Sequence, residues 1–187
     1  MTMATDAARS NHRLSSAGHP RLNAVAIGIV TNVNDEEGLG RVEIMLPWYA
    51  SGYRRWARVA HMYAGPGYGS TWVPEQDGEV LVAFDHGNLR SPYVLGCLYS
   101  KVDKPPQSRS DSTDIRTLRT PAGSELTFDE QEATITLKTP KGASIVLKEN
   151  EGEITLKATS KISLDAEEIA IHGSSKVSIS GGEIDLN

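Results

Sequence analysis

Between residues 126 and 186 the apolar side chains recur as i, i+2 pairs: Leu126 with Phe128, Ile135 with Leu137, Ile145 with Leu147, Ile154 with Leu156, Ile162 with Leu164, Ile169 with Ile171, Val177 with Ile179 and Ile184 with Leu186. First members stand 9, 10, 9, 8, 7, 8 and 7 residues apart, and the residue inside a pair is mostly polar or small, as at Thr127, Thr136, Thr155, Ser163, Ser178 and Asp185. A period of two puts both members on one face of a strand, and no helical period competes with it. A longer echo runs through the same region. Leu118-Arg-Thr-Pro-Ala-Gly123 returns nineteen residues later as Leu137-Lys-Thr-Pro-Lys-Gly142.

Stacked rungs of this kind bury only about two side chains each. One chain alone offers a narrow apolar strip and long unpaired edges, which makes it unstable and sticky. A single-chain solenoid needs a wider core, and a hexapeptide helix needs a six-residue period that is missing here. Three chains wound around one axis solve both problems, because each chain's inward pairs meet those of two partners and the symmetry closes. The expected trimer core is the set of sixteen paired residues named above. Outward positions are Lys, Glu, Ser and Thr, so the product is a rod with no pocket, suited to stiffness rather than catalysis. An ordinary β-sandwich or meander is the alternative.

The rest of the chain is a different material. Residues 1–110 hold 11 Lys/Arg against 10 Asp/Glu, whereas residues 111–187 hold 8 against 14 and account for the net charge of −5. Ten of the eleven aromatic residues precede residue 110, leaving Phe128 alone in the repeat. Pro105-Pro106 and the small polar residues around them read as an extended linker over 101–114. Residues 1–20 are polar and unpatterned and read as a flexible arm. Residues 21–100 carry about five short β-branched strands broken by turn signals, of which Glu79-Val-Leu-Val-Ala-Phe84 is the clearest. In the turn Asn34-Asp-Glu-Glu-Gly-Leu-Gly40 the carboxylates are expected in solvent. A small closed barrel of the oligonucleotide/oligosaccharide-binding (OB) type suits this size, since closure removes the edges.

Enzyme, metal and membrane chemistry find little support. No run approaches the ~18 apolar residues of a spanning helix, and residues 1–21 contain no apolar core of a signal peptide. The single Cys97 excludes an intrachain disulfide and a cysteine zinc site. Gly65, Gly67 and Gly69 have spacing without the helix that a phosphate loop requires, and Ser70 lies outside a nucleophile elbow. His61 and His86 stand without metal-ligand spacing. Glu36 and Glu37 lack an apolar wall to separate their pKa values. His172 follows the inward pair Ile169 and Ile171 out of phase, so it is expected to face outward and hold no metal.

With these segments in view, the chain resembles the tail-spike family of phage baseplate assembly protein V and the valine-glycine-repeat protein G (VgrG) spikes. The resemblance is carried by Gly28-Ile-Val-Thr-Asn-Val-Asn-Asp-Glu-Glu-Gly-Leu-Gly-Arg-Val-Glu-Ile-Met-Leu-Pro47, by Trp56-Ala-Arg-Val59, by Val73-Pro-Glu-Gln-Asp-Gly-Glu-Val-Leu-Val-Ala-Phe-Asp-His-Gly-Asn88 and by Pro92-Tyr-Val-Leu-Gly-Cys-Leu-Tyr99. Residues 115–186 are similar to that family's intertwined triple-stranded β-helix. The resemblance implies an all-β protein: an N-terminal OB barrel (21–100), a linker (101–114) and a C-terminal intertwined trimeric β-helix (115–187).

It further implies a homotrimeric, non-enzymatic spike at the centre of a contractile injection machine, assembled in the producer cytoplasm and then part of the particle. The expected partners are a separate baseplate hub protein, a tip protein of the proline-alanine-alanine-arginine (PAAR) type at Ile184, Leu186 and Asn187, and a target membrane contacted transiently. No cofactor and no nucleic acid are expected. Two other functions compete. One is a nucleic-acid-binding OB protein, with Arg54, Arg55 and Arg58 beside Trp48, Tyr49, Tyr53 and Trp56 as a basic aromatic platform. The other is a cell-wall hydrolase.

Overall fold

The computed structural model describes residues 22, 24–49, 52–107 and 114–185. The arm expected over 1–20 lies outside the described residues, as do Leu186 and Asn187. The chain divides into two compact units, Met1–Pro105 and Pro106–Asn187. Among the described residues no helix is long and apolar enough to cross a membrane.

Five strands of the first unit close into a barrel: β1 (Ala26–Asn32), β2 (Arg41–Met45), β3 (Arg54–Val59), β6 (Glu79–Phe84) and β7 (Pro92–Cys97), in the order β1-β2-β3-β7-β6. All neighbours pair antiparallel except β3 and β7, which run parallel through Arg58–Tyr93 and Val59–Val94. This is the five-stranded barrel expected from the residues. Alternation sets its inside. Val30, Val42, Ile44, Ala57, Val80, Val82 and Val94 are fully buried, while Arg41, Glu43, Arg54, Trp56 and Arg58 take the outward positions. The glycine-rich stretch around Gly65, Gly67 and Gly69 is a small hairpin, β4 (Ala64–Gly65) and β5 (Tyr68–Gly69), with Tyr63 and Tyr68 rings 5.3 Å apart.

The β1–β2 turn departs from its expectation. Asp35 is not in solvent, since its side chain is only 5% exposed. Its carboxylate accepts the backbone N–H groups of Glu37, Leu39 and Arg41 and both Nε and Nη2 of Arg41, the last at 2.7 Å. The hydrogen bond from the Arg41 side chain, ahead of the three backbone donors, holds the Asp35 carboxyl well below the usual carboxylate range. A short acidic side chain at a turn start can gather successive N–H groups, which longer Glu36 and Glu37 cannot.

The second unit is a five-stranded antiparallel meander: β8 (Ile115–Arg119), β9 (Glu125–Asp129), β10 (Thr134–Lys138), β11 (Ser144–Lys148) and β12 (Glu153–Lys157). Each strand pairs with its sequence neighbour over five residues. These rungs therefore hydrogen-bond within the chain, an arrangement compatible with the expected winding of three chains around one axis. The physical reason is in the turns. Thr120-Pro-Ala-Gly123 and Thr139-Pro-Lys-Gly142 each close with a glycine N–H donating to the threonine carbonyl, and Gly123 and Gly142 take positive φ near 90°. That geometry sends the next strand straight back beside the last. Residues 158–185 form no ladder with the described residues of the chain.

Candidate functional site

The meander brings the paired residues into two straight rows. The first runs Leu118, Leu126, Leu137, Ile145, Leu156, each directly opposite the next. The second runs Arg116, Phe128, Ile135, Leu147, Ile154 in the same way. Both rows lie on one face, because their members are two residues apart on every strand. The face is apolar except at Arg116, whose guanidinium pairs with Glu130 at the end of the neighbouring strand.

The opposite face is polar. Its centre is the row Thr117, Thr127, Thr136, Val146, Thr155. Beside it Glu125 sits between Arg119 Nε at 2.6 Å and Lys138 Nζ at 2.7 Å. The Lys138 bond first, then Thr127 and the charge of Arg119, hold the Glu125 carboxyl below its ordinary range. Lys148 meets Glu151 at 2.9 Å and Glu153 at 3.4 Å, which raises its ammonium pKa, chiefly through Glu151. Such ion pairs leave this side satisfied in water.

The apolar side is the anomaly. In the chain by itself Ile145 is 37% exposed and Ile154 is 71% exposed, with Leu118, Phe128, Ile135, Leu137, Leu147 and Leu156 between them. Fully burying one such side chain stabilises by about 1.5–3 kcal/mol. Eight half-exposed ones withhold on the order of 10 kcal/mol per chain, comparable to the whole stability of a domain. A contiguous face of this kind marks an interaction site.

Eight of the residues expected in a trimer core, Leu126 through Leu156, are thus side by side on one face. The later pairs are uncovered in the single chain. Ile162 and Leu164, then Ile169 and Ile171, then Val177 and Ile179, and finally Ile184 all lie exposed along 161–185 in the single chain. Ile171 and Ile179 are among the most open, at 64% and 66%. The physical reason is that this stretch has no strand partner among the described residues, so none of them stands opposite these side chains to exclude water. Leu186 is outside the described residues.

Leu118 belongs to the first row and was missed in the pairing. Its signal was the Leu-x-Thr-Pro-x-Gly echo, which aligns it with Leu137. His172 is exposed next to Ile171, and among the described residues no three His, Cys, Asp or Glu side chains converge as metal ligands.

The basic aromatic platform does not assemble. Tyr53 is buried and donates its hydroxyl to the Leu89 carbonyl. Tyr49 packs edge-on against Tyr53 and joins the core, and Trp48 packs edge-on against Tyr49. Arg41 covers the Trp56 ring at 5.6 Å, Arg55 lies over Tyr53 and Arg58 over Tyr93. Arg54 faces Glu43 at 3.6 Å. Stacked bases need open rings; Tyr49, Tyr53 and Trp56 are covered by the protein itself, and of the four rings Trp48 alone is exposed, at 49%.

The fold thus defines a class: a closed OB barrel followed in sequence by a β-meander with one apolar face. Residues 26–99 match the model of the type VI secretion system/phage-baseplate injector OB domain, in line with the resemblance read over the barrel residues. The chain is 30% identical over 133 residues to the type VI secretion system spike protein VgrG3 of Vibrio cholerae, a match covering 64% of this chain and 13% of that protein. It is 29% identical over 131 residues to the spike protein VgrG2a of Pseudomonas aeruginosa, covering 63% of this chain and 16% of that one. A third relative, the actin cross-linking toxin VgrG1 of Vibrio cholerae, is 30% identical over 126 residues, covering 60% of this chain and 12% of its own length. The chain therefore spans less than a fifth of these relatives.

Proposed function

We propose that the chain is a trimeric central spike of a contractile injection machine, a secretion particle or phage-type tail. In this reading three meanders turn their apolar faces toward one axis and form a closed prism with the Thr and ion-pair faces outside. The exposed two-row face of β8–β12 is the observation that carries it. Its strip is two side chains wide, which suits a triangular core, and covering it recovers the roughly 10 kcal/mol per chain estimated above. The same enclosure extends to the later pairs, so that Ile169, Ile171, Val177 and Ile179 exchange water for the matching residues of two other copies.

The barrels form a collar on the baseplate hub, and the end of the repeat that carries Ile184, Leu186 and Asn187 offers a face for a small capping tip protein. The rod acts mechanically, by stiffness, when contraction drives it into the target envelope, and no chemistry is required of it. Nine levels, five strands plus the four later pairs, stacked at ~4.8 Å give a rod of roughly 40 Å. The spike is assembled in the producing cell and then carried in the particle. The VgrG spike relatives support this reading.

The mass of the purified chain by light scattering tests it. A trimer is expected at micromolar concentration, and a stable monomer would rule the prism out.

A further inference from the structure

Four of the five meander strands put two apolar side chains on the apolar face. On β8 the corresponding residues are Arg116 and Leu118, so a guanidinium takes the place that Phe128, Ile135, Leu147 and Ile154 fill in the same row. The Arg116 side chain does not turn away from the face. With Glu130 it lines one hollow together with Phe128, Ile135, Leu147 and Ile154.

The polar groups at this level are only partly matched within the chain. Arg116 donates Nη1 to Glu130 Oε1. A guanidinium has five N–H donors, and the others have no acceptor among the described residues. Asp114 stands two residues before Arg116 and shares its parity. Its carbonyl accepts the Glu130 N–H at 3.0 Å, which places the two acidic residues side by side. The Asp114 carboxylate has no cationic partner among the described residues. This end of the face therefore holds spare donors and spare acceptors together.

In a single chain water completes these bonds. Covering the face removes that water, and a charge enclosed without its partners is strongly destabilising. Packed sheets stand ~10 Å apart, so long side chains at one level of a three-sided core reach one another. We propose that Arg116 of each copy bridges its own Glu130 to a carboxylate, Glu130 or Asp114, of a second copy, so that the β8 end of the apolar face closes in a ring of charge. The inference rests on the trimer reading above. Such a ring also sets register. Strands β9 to β12 offer an apolar pair at every level, and these pairs do not by themselves specify which level of one copy meets which level of the next. One polar position in an apolar seam does.

Charge reversal supplies the test. Both side chains are more than half exposed in the single chain, at 58% and 62%, so the substitutions spare the chain's own fold. Arg116→Glu and Glu130→Arg are made separately in the full chain, combined in one chain, and co-expressed as two differently tagged chains. By light scattering, each single variant is expected to need at least about tenfold higher concentration than the parent to reach trimer mass. Co-expression is expected to restore the parent behaviour in complexes that carry both tags. Single variants that assemble like the parent would overturn the ring and leave the trimer standing. So would co-expression that fails to restore the mass, and restoration by the combined chain in that case would confine the pair to one copy. A monomeric parent would overturn both the ring and the trimer.

Discussion

Ile145 stands directly opposite Leu156 in the β11–β12 ladder, in a row of five aliphatic side chains that the chain by itself leaves in water. A hydrophobic row held in such register costs the single chain solubility and becomes a source of stability once covered. Leu156, 58% exposed, is therefore a sharp probe. In a lone sheet Leu156→Asp changes stability within about 0.5 kcal/mol. In the trimer it gathers three carboxylates around one axis, a loss of at least about 3 kcal/mol per trimer. Loss of trimer mass by light scattering is the expected outcome. The adjacent Lys157→Asp lies on the polar face opposite Ser144 and is expected to leave the mass unchanged.

Asp35 predicts a pH dependence. Its carboxyl is depressed in the folded barrel, mainly by Arg41. Such a group contributes stability that is fully present above its unfolded pKa of about 3.9 and is lost as pH falls through the lower folded value. Asp35→Asn is expected to lower the urea midpoint at pH 7, and the gap from the parent protein is expected to narrow steadily below pH 4. A gap independent of pH would show that the carboxylate charge is not what organises the turn.

Ala133 is a non-glycine residue at φ 50°, between β9 and β10, where the other three reversals of the meander use glycine. The left-handed region costs an L-residue about 1–2 kcal/mol, and glycine's greater freedom in the unfolded chain offsets part of the relief. Ala133→Gly is expected to raise stability by about 0.5 kcal/mol per chain, read as a higher thermal midpoint at fixed protein concentration.

Tyr53 ties the segment before β3 to the loop after the turn at 85–87, by its hydroxyl on the Leu89 carbonyl. Burial raises the pKa of this phenol, so it stays a donor through neutral pH. Tyr53→Phe removes the donor and leaves a carbonyl unpaired beside the core, an expected loss of about 1–2 kcal/mol in the denaturation free energy of the barrel. Tyr63→Phe, on the exposed hairpin, is the control and should change little.

Much of this protein was determined by the sequence alone. Strand alternation is local, so Leu126 and Phe128 through Ile154 and Leu156 could be assigned to one face before any partner strand was known. The Thr-Pro-x-Gly steps were visible as a nineteen-residue echo, though not as tight reversals, and the length and turn spacing of residues 21–100 pointed to a small closed barrel. The tertiary structure decided what depends on distant partners. Only closure placed β3 parallel to β7 and sent Tyr53 inward to Leu89, which dissolved the aromatic platform suggested by residues 48–58. Only the folded turn showed Asp35 drawn under its own loop by Arg41. Only the ladder separated the pairs up to Leu156, which share one face within the chain, from Ile171 and Ile179, which the chain leaves open. A strip of apolar pairs looks the same whether its hydrogen bonds close at home or across an interface. Backbone hydrogen bonding carries no side-chain signature, so the choice between the two falls to turn geometry: present four times up to Gly152, and absent from Glu153 to Asp185.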